Sequence, residues 1–213
     1  MFADATRFET LRLLRRRPGQ STTVSQVAAD EAERLKGARE QIKLLTEWDN
    51  DRSEALFASA VLLVEGPGDK IAAHGVASRN PKLDLDRQNL SIIDCGGKSS
   101  IPFHAALCRA LGIPVCALYG DDVRPIPDDE TPERRQKIET ENRQAVAESA
   151  KIEAELPASD RFVCSPTLEE MLGVGRNAKN KPHQVAEKIK AAAPDQIPTP
   201  LIEALKRLRA LAA

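Results

Sequence analysis

Aromatic side chains are scarce: one Trp, one Tyr and five Phe make up 3% of the 213 residues. Leu, Ile, Val and Ala must therefore build the core. Long apolar runs are missing too. No stretch approaches the ~20 apolar residues that a membrane-spanning helix needs, so no membrane partner is expected. The start, Met1-Phe2-Ala3-Asp4, places an acid early and lacks an apolar run, so it does not read as a signal peptide. Only four cysteines occur (Cys95, Cys108, Cys116, Cys164), without the paired spacing of a zinc site or a disulfide framework. They read as buried free thiols in a reducing compartment, and a cytoplasmic location is expected. A strong overall charge is absent, since the formal net charge is −1.

What is present is ordinary for a globular chain: 41% hydrophobic and 30% charged residues. The charges are unevenly spread. From Arg176 onward there are eight Lys/Arg against three Asp/Glu, while residues 127–160 hold five against ten. Such asymmetry allows one basic face on a neutral molecule.

Residues 1–50 read as helical. A first helix should stop at Pro18-Gly19, and Ser21-Thr22-Thr23 offers a cap for a second. Val24, Val27, Leu35, Ala38, Ile42 and Leu45 would form its narrow apolar seam, packed on another helix of this chain or of a twin subunit. A charged stretch, 47–54, follows and includes Trp48. From residue 60 the pattern changes. Ala60–Val64, Leu90–Asp94 and 114–119 are short buried strands, each ending in an acid- and glycine-rich loop. Helices are expected over 69–77 and 100–111. This alternation implies a parallel sheet whose functional edge lies at the carboxyl ends of the strands. A polar helical insert covers about 126–160, and Arg161–Cys164 is a short fourth strand. Helices follow over 166–172, from Lys181-Pro182 to about 192, and from Leu201 to the end, with a basic loop at 174–180.

Three strand ends carry acids: Glu65 with Asp69, Asp94 before Gly96-Gly97, and Asp121-Asp122. On one edge of a parallel sheet these carboxylates converge, and each raises its neighbour's pKa unless a cation sits between them. Oxygen-only ligands suit Mg²⁺ or Mn²⁺. Asp69 alone could equally be a helix cap. Gly96-Gly97-Lys98-Ser99 could bring backbone N–H groups and Lys98 to a phosphate, or could simply be a tight strand-to-helix turn with Ser99 as cap. Arg176, Lys179, Lys188 and Lys190 could line a phosphate track or form a generic basic surface. His74, His104 and His183 show no ligand spacing, and Tyr119 reads as packing.

Val-Glu-Gly-Pro-Gly-Asp-Lys (64–70), Ile-Ile-Asp-Cys-Gly-Gly-Lys-Ser (92–99) and Gly-Ile-Pro-Val-Cys-Ala-Leu-Tyr-Gly-Asp-Asp (112–122), in this order, resemble a Toprim domain. The version is similar to the one ending the OLD-family (overcoming lysogenization defect) ATP-dependent endonucleases. Leu168–Gly173 and Lys181-Pro182 resemble that family's late segment. The resemblance covers residues 56–125 and 161–190. It implies an α/β fold, a small parallel-sheet Toprim domain flanked by helices, with an added helical subdomain. The organisation expected is an amino-terminal helical segment (1–55) and a catalytic domain (56–213) interrupted by the insert, with segment and insert packing together.

The function it implies is metal-dependent DNA cleavage with two Mg²⁺ or Mn²⁺ ions. On that reading Glu65, Asp69, Asp121 and Asp122 are metal ligands, and Glu169 or Glu170 completes the second ion's shell. Lys181 contacts the scissile phosphate or the leaving oxygen. Lys98, Ser99, Arg176 and Lys179 are the candidate DNA contacts. The family also carries an amino-terminal ATPase. This chain contains no Gly-x-x-x-x-Gly-Lys-Ser/Thr loop, so it reads as the carboxyl-terminal part of a longer protein and is not expected to bind nucleotide. DNA, the ATPase region, a twin subunit and a helicase are the partners this implies.

One departure stands out. Toprim domains usually carry Asp-x-Asp after the third strand, whereas this chain reads Gly120-Asp121-Asp122. That leaves open which Asp serves which ion. It also favours a rival, a non-catalytic Toprim-like module that binds nucleic acid or dimerises. A receiver- or phosphatase-like domain would need a nucleophilic Asp on the first strand, where Glu65 stands.

Overall fold

A computed structural model describes residues 9–16, 21–41 and 53–212, with the side chains of 36–41 left aside. Its centre is a four-stranded parallel sheet built from β3 (Ala60–Val64), β4 (Leu90–Asp94), β5 (Val115–Gly120) and β6 (Arg161–Cys164). The strand order is β4-β3-β5-β6. Each pairing is parallel, as in Val64 opposite Asp94 and Val64 opposite Leu118.

The sheet is covered on both faces, so its two central strands, β3 and β5, are continuous apolar runs rather than alternating ones. Alternation shows instead in which layer each residue joins. Val61, Leu63, Ile93, Val115, Ala117 and Tyr119 face one cluster. Ala60, Leu62, Val64, Ile92, Cys116 and Leu118 face the other. The first layer holds α3 (Ile101–Ala110), with α1 (Ala29–Gln41) and the long α4 (Pro132–Glu155) against it. The second holds α2 (Pro67–Ser78), α6 (Lys181–Ala191) and α7 (Thr199–Leu211). A short helix, α5 (Leu168–Met171), lies between β6 and α6 in the chain. Helices α2 and α6 pack closely enough that a Cβ on Gly75 would stand 2.8 Å from Ile189 Cγ2.

The amino-terminal part differs from the helical expectation. Leu13–Arg15 (β1) and Thr23–Ser25 (β2) form an antiparallel ribbon, with Leu14 opposite Val24. Val24 is therefore on an exposed strand, not on a helical seam, and Ser21-Thr22-Thr23 does not cap a helix. The second helix begins only at Ala29. Three-residue strands carry almost no periodic signal, and β-branched Thr22, Thr23 and Val24 suit a strand as well as a cap. Val27 and Leu35 are buried as expected. Ile42, Leu45 and Trp48 lie outside the described residues, as do the side chain of Ala38 and the Pro18-Gly19 break.

The insert and the amino-terminal helix pack together, as expected, and both dock on the layer that holds α3. Val27, Ala32 and Leu35 share one apolar cluster with Ile152, Leu156 and the inner face of α3. Ile138, Ala145 and Ile152, seven apart, are the buried positions of α4. That spacing gives a single narrow stripe, enough to dock on a layer but not to enclose a core. Arg34, paired with Glu155 at 2.6 Å, links α1 to α4 across the top.

All four cysteines are buried and free. Burial pushes the Cys108 thiol up to about 12 and raises Cys116 and Cys164 as well, so they behave as apolar packing groups.

Candidate metal and phosphate site

Strands β3, β4 and β5 all stop at the same edge, where their loops enclose a cleft of about 440 Å³. Its walls include Glu65, Asp69, Asp94, Glu169 and Lys181. Much of the remaining lining is glycine: Gly66, Gly68, Gly96, Gly97 and Gly120. A cleft lined by bare backbone lets a bulky anion approach closely.

Glu65 leaves the end of the buried strand β3. Its Oε1 accepts a hydrogen bond from Gly120 N at 2.5 Å, and its own carbonyl accepts from Gly97 N at 2.7 Å. One residue thus ties the three loops together. Burial pushes its carboxyl up to about 7, against the Gly120 N–H, which favours the anion, and with Asp122 and Glu169 repelling it further. Asp69 sits in the first turn of α2 and is buried. Its Oδ2 accepts from Gly66 N at 3.2 Å, so the capping role and the site role coincide. Burial holds Asp69 well above the usual carboxylate range, and Glu169 and Glu65 add repulsion.

Glu169 reaches the cleft from α5. Thr167 caps that helix, its hydroxyl accepting from Glu170 N at 3.2 Å. A Cβ on Gly68 would lie 3.3 Å from Glu169 Oε1, so glycine makes room for this carboxylate. Glu170, one residue on, does not line the cleft. Lys181 and Pro182 open α6 and do line it.

Asp121 and Asp122 lie just beyond the lining residues. The Asp121 carboxylate turns back on its own loop and accepts from Val123 N at 3.0 Å. Asp122 adopts a left-handed backbone, φ 58°. Its Oδ2 is 3.2 Å from Lys98 Nζ, and its Oδ1 is 3.8 Å from Arg176 Nη2. Lys98 is buried, and its ammonium also donates to the Asp121 carbonyl at 3.2 Å. Ser99, Arg176 and Lys179 are exposed. His74 and His183 do not line the cleft, and Tyr119 is core.

The Gly120 departure has a steric cause. A Cβ there would lie 2.6 Å from the Pro166 carbonyl oxygen, which already accepts from Asp122 N at 2.9 Å. An acid at this position would have to displace the Ser165-Pro166 turn.

Sequence reasoning passed over Asn142. This residue of α4 grips the loop after the Asp pair through both its amide atoms. Arg124 N donates to Asn142 Oδ1 at 3.0 Å, and Asn142 Nδ2 donates to Arg124 O at 2.8 Å. Glu141 pairs with the Arg124 guanidinium alongside. No local pattern marks such a contact. Asp94 and Thr167, both in the lining, were also not among the candidate ligands. The acid-Cys-Gly-Gly strand end did mark Asp94.

The donor set fits a hard cation by its chemistry. Glu65, Asp69 and Glu169 offer oxygen only and repel one another. No Lys or Arg of the described residues pairs with any of the three within 4.0 Å. Among the described residues, however, no three metal-ligating side chains are already gathered on one point.

The sequence pattern of the family described as "Overcoming lysogenization defect protein-like, TOPRIM domain" matches residues 56–122. An "OLD nuclease" of Thermus scotoductus is 37% identical over 211 residues, covering 98% of this chain and 40% of that protein. The chain thus spans well under half the length of this relative. Two solved structures are also similar. The carboxyl-terminal region of the Burkholderia pseudomallei OLD protein has TM-score 0.47 at 17% identity, covering 74% of this chain and 100% of that one. The corresponding region from Xanthomonas campestris pv. campestris has TM-score 0.47 at 15% identity, covering 75% and 96%. Residues 56–122 therefore match the OLD-like Toprim pattern, in a chain similar over nearly its whole length to an OLD nuclease.

Proposed function

We propose that this chain is the nuclease portion of an OLD-family protein and cuts DNA with Mg²⁺ or Mn²⁺. The observation that carries the reading is the mutually repelling set Glu65, Asp69 and Glu169, which shares one cleft with Lys181 at the sheet's carboxyl edge. Glu65, Asp69 and Glu169 would hold one ion, and the Asp121–Asp122 step a second. Bound there, the ions would activate water and neutralise charge on the phosphate.

The chain's own residues do the rest. Glu65, fixed by the Gly120 N–H, holds an anionic oxygen at the rim. Lys181 supplies a positive point charge where the phosphodiester gains negative charge. The glycine walls admit the sugar–phosphate backbone. Exposed Arg176 and Lys179 would meet flanking phosphates, with Ser99 on the adjoining turn. The ATPase region of a longer protein, a twin subunit and a helicase are proposed partners, and the cytoplasm the proposed location. No described helix is long and apolar enough to cross a membrane.

Supercoiled plasmid should be nicked and linearised with Mn²⁺ or Mg²⁺ and spared with EDTA. Unchanged cutting by Glu65→Ala and Lys181→Ala would remove the assignment. A second reading, a DNA-binding module without turnover, is favoured by Gly120 standing where an acid is usual. Metal-independent DNA retention with no cleavage would select it.

A further inference from the structure

Two hollows lie away from the sheet's carboxyl edge, where the end of α2 meets α7. Their volumes are about 400 and 320 Å³. Val76, Asn80 and Ile202 line both, so the two form one groove. Leu83 and Leu205 are its buried floor, and Val76 and Ile202 rise half-buried from the same apolar cluster. The rim is basic, with Lys206 and Arg209 at one hollow and Arg79 at the other. No carboxylate lines either hollow. The first turn of α2 lines the acidic cleft and its last turn lines the groove, so the two sites stand at opposite ends of that helix.

The groove is braced by its own contacts. The Arg79 guanidinium donates to the Ile189 carbonyl and, at 2.7 Å, to the Ala192 carbonyl, which pins the end of α6 beside α2. Among the described residues neither Arg79 nor Arg209 has an ion-pair partner. Lys206 meets Glu203 at 2.8 Å, but both side chains are exposed, and such a pair contributes little and exchanges readily. An apolar floor under uncompensated cations asks two things of an occupant: bulky apolar side chains and carboxylates. A nucleic-acid backbone would meet the cations and leave the floor uncovered. A second copy does not supply the element either, because among the described residues no helix exposes two large apolar side chains.

From this complementarity we infer that the groove docks an amphipathic helix of another protein, one that is acidic on its flanks and carries two large apolar side chains on one face. One apolar side chain enters each hollow, on either side of Ile202. Arg79, Lys206 and Arg209 meet the flanking acids. The docked helix lies clear of the acidic cleft, so the partner is held without blocking it. The inference stands apart from the chemistry of the cleft.

The probe is a fluorescein-labelled synthetic helix with a Leu pair on one face and Glu along both flanks. Anisotropy with the whole chain should show saturable binding that weakens as salt screens the charges. A peptide of the same composition with its Leu residues on opposite faces should bind at least about 10-fold more weakly. Ile202→Glu and Arg209→Glu should each cost at least about 10-fold as well. If Ile202→Glu does not fold, Arg209→Glu on its exposed side chain carries the test. Methyl resonances of Val76, Leu83, Ile202 and Leu205 should shift on titration with the peptide. Absence of peptide binding, equal binding of the rearranged peptide, or unchanged binding by Arg209→Glu would overturn the inference. Duplex-DNA affinity that falls in Arg209→Glu while the peptide stays unbound would make the face a nucleic-acid track and overturn it too. Self-association of the chain that Arg209→Glu abolishes would make it an interface between copies, with the same result. None of these outcomes touches the nuclease reading, which EDTA-sensitive nicking tests separately.

Discussion

The two arms of the rim, one at the end of β3 with α2 and α5 and one at the end of β5, hold the same kind of side chain in different surroundings. On the β3 arm, buried carboxylates face one another, and burial pushes Glu65 up to about 7. On the β5 arm, Asp122 is paired on both oxygens, and Asp121 is bonded within its own turn. Acids in a loop are therefore not interchangeable ligands. What lies beneath and opposite each one decides whether it is available to a cation.

The sharpest way to break this contrast is to remove its buried side. Glu65→Ala should lower metal-dependent DNA nicking by at least about 100-fold, and Lys181→Ala by a similar factor, since each removes charge from the reacting centre. Initial rates on supercoiled plasmid would measure this. Gly120→Asp, which restores an acid to the paired side, should not help. With Pro166 O 2.6 Å from the new Cβ, it should destabilise the fold by about 1–3 kcal/mol and leave cleavage no faster. Chemical denaturation would report the loss.

A third comparison uses pH. A carboxyl whose folded-state pKa lies above its unfolded value binds its proton more tightly when folded. Glu65 therefore favours folding fully below pH 4.5, and that contribution fades as pH rises through about 7. Between those limits the metal-free chain should lose up to about 3 kcal/mol from this group. Glu65→Gln should flatten the slope; denaturant midpoints at pH 5 and pH 8 would test it. The smallest expected effect is on the scaffold of the paired arm. Asn142→Ala should cost about 1–2 kcal/mol by leaving Arg124 N and O without their side-chain partner. Faster hydrogen exchange at the Arg124 amide would show it. If that amide exchanges at the wild-type rate, α4 does not brace the loop.

Much of this was readable in order along the chain. The strands Ala60–Val64 and Leu90–Asp94 appear where their apolar runs predict them, because a central strand covered on both faces, as Ala60–Val64 is, must be apolar throughout. The acids that close those runs led directly to Glu65 and Asp69, which share the cleft with Glu169 and Lys181. The ribbon at 13–25 was not readable. Its strands are too short for a period to show, and its stability comes from its neighbours. The insert is a helix, as its composition predicts, and it packs with the amino-terminal helix through Ile152 and Leu156. A stripe of three buried residues does not say which surface it will meet.

By itself, the order of residues determined that acids and glycines would stand together on one edge. Parallel strands bring their carboxyl ends to a single rim, and a loop follows each of these apolar runs. Only the tertiary structure decided which of those acids are paired. Lys98 meets Asp122 across 24 residues, and Asn142 meets Arg124 across 18. Such contacts depend on how helices seat against a sheet, and burial then sets how strongly each charge is felt.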